Sequence, residues 1–262
     1  MGRSIYKQGP ELEKKVTQGS IINHCVAEKY CCDVWGVIVT PRCDIAHTGK
    51  VTHVHYLPIV PFEEWYKVDG IHYMWTKTLE KYRTKLLNAC KAKGYPTSNL
   101  GEKQLRQLCD SILDPKEKDK FKSEIDNFYQ TQKINPSDYV PSNEDKGKMV
   151  TNLRKGDIAA FFLIEDWREG NKYMVVLLRE LKRLDYNFAI GMASGIEETT
   201  ISDRWKNDLA YSLSKDFLYR TEAELVSPFV EQLMERFSYN FCRIGVDDMD
   251  ESVEDVLREI IK

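Results

Sequence analysis

From Trp35 to Ile59 the chain reads WGVIVTPRCDIAHTGKVTHVHYLPI. An apolar run, Val34 to Val39, stops at Thr40-Pro41 and crosses a polar loop. It then resumes as an alternating segment that closes on Pro58-Ile59. Alternation has the period of a strand, so the spacing predicts two paired strands of a small β-barrel. The loop between them carries Arg42, Cys43, Asp44 and His47 and is expected at one rim of that barrel.

The flanking sequence sorts around this pair. Residues 1–17 read as a short polar helix or an arm, and Gly19-Ser-Ile-Ile opens the first strand. Beyond Pro61 the period changes: Trp75, Leu79, Tyr82, Leu86 and Cys90 mark one face of a helix, Leu105, Leu108 and Ile112 a second, and Asp114-Pro115 opens a third through Phe128. The Pro-, Ser- and Asn-rich stretch from Ile134 to Lys148 reads as a loop. Strand character returns at 157–165, 172–180 and 187–193, the first two joined by a hairpin-like turn at Trp167. The prediction is an α+β chain. Residues 1–193 form a barrel from strands in 19–60 and 150–193, interrupted by a helical insertion at 67–149, and 194–262 form a helical C-terminal segment.

After Ala193 the residues are small and polar, as in an exposed linker. A helix follows, with Ser227 as N-cap, Pro228 at its first position and Glu231 in its first turn. Phe229, Leu233, Phe237 and Phe241 recur every four residues along it, a stripe of which part reads as core, and Gly245 is the expected stop. From Asp247 to Glu259 seven of thirteen residues are acidic, Asp247, Asp248, Asp250 and Glu251 among them. Val253, Val256, Leu257, Ile260 and Ile261 form a narrow apolar stripe there. Two readings stay open: a solvated helix on its own domain, or a docking segment for a basic partner.

With 262 residues and a net charge of −3, the chain can build a large core and has no global pull toward nucleic acid. No apolar run reaches membrane-spanning length and no N-terminal signal-peptide layout is present. The seven scattered cysteines then read as reduced thiols, and a cytosolic protein is expected. His24, Cys25, Cys31, Cys32, Cys43, His47, His53 and His55 crowd into 32 residues, but no CxxC pair occurs. Strand histidines and buried thiols are the preferred reading over a metal site, although His53 and His55 share a strand face. Cys43 lacks a signature of a catalytic thiol. Thr40 and Arg42 could bind a scissile phosphate, but no dense basic stripe surrounds them.

Gly19-Ser-Ile-Ile, Val37-Ile-Val-Thr-x3-Asp44 and Tyr56-Leu-Pro-Ile59 together resemble the barrel strands of MazF/PemK-type toxins, over about 45 residues. In that family an arginine-rich loop before the second strand helps cleave RNA. This chain has Tyr30-Cys-Cys-Asp-Val-Trp-Gly there, which argues against nuclease activity; a MazF-like RNA endonuclease is the alternative reading. The insertion and acidic terminus make the whole layout similar to the MazF-like anti-σ factors of type III CRISPR systems. The resemblance implies a non-enzymatic regulator without a cofactor, which holds an ECF-like σ factor through its C-terminal part. It further implies cutting by a Lon-SAVED protease in a linker after the barrel, for which Ala193–Ser194 is the candidate bond. The expected partner-binding residues are Phe229, Leu233, Phe237, Phe241, Asp247, Asp248, Asp250, Glu251 and Leu257; no membrane and no direct nucleic-acid contact is implied.

Overall fold

A computed structural model describes residues 5–9, 12, 15–92, 94, 101–168, 172–197 and 218–241. Ten strands and eight α-helices are found among them. The strands are β1 (Tyr6–Gln8), β2 (Ser20–Ile22), β3 (Trp35–Ile38), β4 (His53–Pro61), β5 (Phe161–Glu165), β6 (Tyr173–Leu177), β7 (Lys182–Asp185), β8 (Ile196–Glu197), β9 (Leu218–Tyr219) and β10 (Thr221–Leu225). The helices are α1 (Arg42–Ala46), α2 (Phe62–Trp65), α3 (Ile71–Ala92), α4 (Glu102–Asp110), α5 (Pro115–Lys133), α6 (Asn143–Lys155), α7 (Tyr186–Gly191) and α8 (Phe229–Phe241). No helix among the described residues is long and apolar enough to cross a membrane.

The expected α+β architecture is present as a curled antiparallel sheet, a half-barrel, in the order β1-β10-β2-β3-β4-β6-β5. As the sequence spacing predicts, β3 and β4 pair directly, Trp35 facing Ile59 and Ile38 facing Tyr56. On its other side β4 meets β6 and then β7, with Ile59 opposite Val176 but Tyr56 opposite Lys182. The four residues Tyr56–Ile59 thus lie along the seven from Val176 to Lys182, and the extra length makes a turn between β6 and β7 in which the Glu180 amide donates to Leu177 O.

Both faces of the sheet are covered, which explains why β3 and the second half of β4 read as continuous apolar runs. On one face Ile21, Trp35, Val37, Leu57, Ile59 and Val176 pack with Val230 and Leu233 of α8. On the other, Ile22, Ile38, Tyr56, Val60 and Val175 pack with Trp65, Met74, Leu153 and Phe188 from helices. The helical insertion runs from Phe62 to Lys155: α2 follows β4 directly and passes into α3 through a π-helical turn at Tyr66–Gly70. Its outer part has a separate core, in which Leu86 and Cys90 of α3 meet Leu105, Leu108, Phe121 and Ile125.

Several local expectations are corrected. Residues 6–8 form an edge strand on β10, in place of a helix or arm. The expected loop at 134–148 contains a 3-10 turn at Pro136–Asp138 and the start of α6, because the Ser142 side chain accepts from the Asp145 amide and starts a helix. The expected strand at 187–193 is helix α7, started by the Asp185 carboxylate, which accepts from the Asn187 and Phe188 amides. The expected linker after Ala193 enters β8, which pairs with β9. Most consequentially, the sheet crosses residue 193: β10 lies between β1 and β2.

Candidate functional site

The sequence singles out residues from Ala193 onward, so the site is built from that point. Helix α7 ends in a tight turn in which the Ser194 amide donates to Gly191 O at 3.0 Å and the Gly195 amide to Met192 O at 3.3 Å. Gly195 has φ +86, and a Cβ there would lie 3.1 Å from Leu218, so glycine is needed where the chain turns into β8. Met192 is buried, Ala193 is half-buried against the core and Ser194 is exposed. A C-terminus created at Ala193 would therefore emerge directly from packed residues Phe188, Ala189 and Met192.

Beyond β9, Asn23 fixes the chain with both ends of its amide. Its Nδ2 donates to Leu218 O at 2.9 Å and its Oδ1 accepts from the Arg220 amide at 2.8 Å. In β10, Ala223, Glu224 and Leu225 are buried. Glu222 Oε2 accepts from Trp35 Nε1 at 2.9 Å and from Trp167 Nε1 at 3.4 Å. The Arg168 guanidinium stacks 3.9 Å from the Trp35 ring centre and is itself held by Asp166. Thus two indoles and one carboxylate lock β10 to β3 and to the β5–β6 connection.

Helix α8 buries Val230 and Leu233, while Phe229, Met234 and Phe237 are partly buried against the same core. Leu233 and Phe237, expected to meet a partner, thus face this chain's own sheet. Outward, α8 presents Glu231, Gln232, Glu235, Ser238 and Tyr239. Arg236 donates to the carbonyls of Gly156 and Lys155, and Asn240 Nδ2 to Ala159 O at 2.8 Å, fixing the helix to the loop after α6. A cavity of about 510 Å³ lies between α8 and β5, with Arg154, Phe162, Ile164, Phe229, Gln232 and Arg236 on its walls. The side chain of Phe241 and the residues Asp247, Asp248, Asp250, Glu251 and Leu257 lie outside the described residues.

Just beyond β3 lie Thr40 and the residues that the endonuclease reading invokes. Thr40 is buried, and its Oγ1 accepts from the His55 amide at 2.6 Å. Arg42, Cys43 and Asp44 sit on the short helix α1. The Asp44 carboxyl lies below the ordinary aspartate range because Lys50 and then the Cys43 thiol bond to it. His53 Nδ1 shares a hydrogen bond with Thr52 Oγ1. Among the described residues no group of three or more His, Cys, Asp or Glu side chains is arranged to hold a metal ion.

Sequence reasoning missed a polar cluster formed by residues of the loop before β3, the π-helical turn and the start of β7. Tyr30 donates to Asp69 Oδ2 at 2.5 Å, and Lys29 lies 3.5 Å from the same carboxylate. Lys182 pairs with Glu28 at 2.6 Å. Burial pushes the half-buried Glu180 carboxyl up; Lys182 and Lys29 pull it back, while Asp69 and Glu28 raise it further. Burial likewise pushes the Cys32 thiol up to about 11, with Glu64 and Asp33 adding to the rise, so this thiol stays protonated near neutrality. Three segments far apart in sequence meet here, and only Asp69 beside Gly70, in the π-helical turn, offered a local signal.

No protein-family model, no curated protein and no solved structure matches the chain.

Proposed function

We propose that this chain is a non-enzymatic regulator of the MazF-like anti-σ kind, holding an ECF-like σ factor through its C-terminal part until a Lon-SAVED protease cuts it. The curled antiparallel sheet with a helical insertion is compatible with a MazF-like scaffold. One observation carries the partner role. Helix α8 is fixed to the sheet by Val230 and Leu233 and to the loop after α6 by Arg236 and Asn240, and its outward face carries Glu231 and Glu235. The chain leaving that helix carries seven acidic residues between Asp247 and Glu259. A rigid helix delivering a dense negative segment suits a basic protein partner, because complementary charge steers encounter and suppresses wrong pairings.

The test is a tagged pull-down from the native cell, comparing the full chain with a version ending at Phe241. Recovery of a σ-like protein on the full chain, and loss of it on the shortened one, supports the reading. Recovery of RNA or ribosomal material without a σ-like protein supports the endonuclease reading instead. RNA cleavage lost on Arg42→Ala would then place that activity at the Thr40 rim.

A further inference from the structure

We infer that residues 218–241 form a strand-and-helix unit seated in a slot of the remaining sheet, so that a single cut between Ala193 and Leu218 leaves both pieces assembled. For its biological meaning this inference rests on the regulator reading above; for its physics it rests on the sheet.

The decisive feature is position. Strand β10 is an interior strand: Tyr6 and Gln8 of β1 face Leu225 and Ala223 on one side, while Ile21 and Ser20 of β2 face Ala223 and Glu224 on the other. Strand β1, from the chain's N-terminal end, joins the sheet through β10. A strand inserted between two others makes backbone hydrogen bonds along both edges, which is how a donated strand is held in trans. The slot also reads side chains. Its Trp35 and Trp167 indoles grip Glu222, and Asn23 grips the backbone of Leu218 and Arg220. Its apolar wall takes Ala223, Leu225, Val230 and Leu233.

Gly19 adapts the slot to this occupant. It has φ +92, and a Cβ on it would stand 2.8 Å from Leu225 O and 3.2 Å from Val230 Cγ2. The two ends of the segment to be cut are also paired, Ile196 with Tyr219 and Glu197 with Leu218. This pairing joins the two pieces when the bond broken lies between Glu197 and Leu218; after a cut at Ala193–Ser194 both strands stay on the C-terminal piece, which is then held through β10 and α8.

Scission therefore changes the molecularity of the contact without removing it. Before the cut β10 is tethered, at an effective concentration of about millimolar; afterwards its retention depends on total concentration. Release of anything bound to the C-terminal unit then requires a second event, namely dilution or extraction of the larger piece.

The experiment needs only this chain. A site-specific protease recognition sequence is inserted between Lys206 and Asn207, the purified protein is cut to completion, and the products are run on a sizing column at micromolar concentration. Both fragments are expected in one peak at the position of the uncut protein, separating only in concentrated urea. With Glu222→Ala in the cut protein, the concentration at which the pieces part should rise about tenfold, since charged hydrogen bonds are lost. Asn23→Ala supplies a second variant should the first fail to fold uncut. Separate elution of the unsubstituted fragments overturns the inference and leaves the anti-σ reading standing. Co-elution together with failure of the uncut chain to capture any σ-like protein does the reverse.

Discussion

Glu222 on β10 accepts the indole N–H of Trp35 on β3 at 2.9 Å, although the two residues are 187 positions apart. The same oxygen receives the Trp167 indole, and the Trp35 and Trp167 rings meet edge to face at 5.8 Å between centres. One carboxylate therefore connects β3, β10 and the connection between β5 and β6. Trp35 is 7% exposed and Trp167 6% exposed, so these donors are shielded from water and depend on Glu222.

Replacing Glu222 should consequently cost more than an ordinary surface change. Glu222→Ala leaves two buried indole donors without their acceptor, at a cost of about 1–3 kcal/mol. Glu222→Gln keeps an acceptor oxygen and should recover a large part of that loss. Urea denaturation of both variants checks this ordering, and equal losses would mean that charge, rather than acceptor geometry, holds the tryptophans.

Gly19 sits where the resemblance to toxin barrels begins, and its requirement is physical. The positive φ disfavours any side chain, and a Cβ would press on the Leu225 carbonyl. Gly19→Ala should destabilise by about 1–3 kcal/mol. The damage should appear first as faster hydrogen exchange in residues 221–233, because the intruding methyl points at β10 and α8. Uniform acceleration across the sheet would contradict that localisation.

The pairing of β3 with β4 was legible because an apolar run and an alternating run lie close together, with proline punctuation. The helices of the insertion were legible through Leu86, Cys90, Leu105 and Leu108, whose spacing matches the core they form. Strand β10 was not. Thr221–Leu225 is five residues long, carries two glutamates, and has partners about 200 residues earlier, so no local pattern reveals it. Helix α7 was misread because Phe188, Ala189 and Met192 are apolar on a short segment, where strand and helix periods are indistinguishable. Of the candidate site, the Phe229–Phe237 repeat was legible, and its reading as partly core agrees with the burial of Leu233 against the sheet.

The outer part of the insertion has a core of its own and should fail independently. Ile125 is fully buried between α5 and its neighbours. Ile125→Ala should cost about 2–5 kcal/mol. That loss should fall on α4, α5 and the second half of α3. Hydrogen exchange should then show those helices opening while β3 and β4 stay protected; loss of protection in both together would mean that one cooperative core spans the molecule.

Glu180 predicts a pH dependence whose sign follows from burial. Its carboxyl is raised chiefly by desolvation, so the native state holds the proton more tightly than the unfolded chain does. That contribution is complete below the unfolded glutamate pKa of about 4.3 and is lost as pH rises through the higher folded value. At neutral pH the charged group is thus a net burden. Glu180→Gln should melt above the parent at pH 7, with the difference closing as the buffer approaches pH 4. A variant less stable at pH 7 would show that pairing with Lys182 and Lys29 outweighs burial.

Removal of residues 242–262 separates stability from binding. The described core ends with Leu233 and the partly buried Met234 and Phe237, and the last described polar contacts of α8 come from Arg236 and Asn240. A chain ending at Phe241 should therefore keep its melting temperature within a few degrees. The deletion also takes away seven acidic and three basic side chains, Arg243, Arg258 and Lys262, so the net charge rises from −3 to +1. Binding to a basic partner should then weaken and lose most of its salt dependence, because steering by opposite charge falls with ionic strength. The check is a titration of the σ-like partner at two salt concentrations with both forms. Equal affinity and an equal salt slope would remove the acidic terminus from the interface and leave the outward face of α8, with Glu231 and Glu235, as its remaining charged surface.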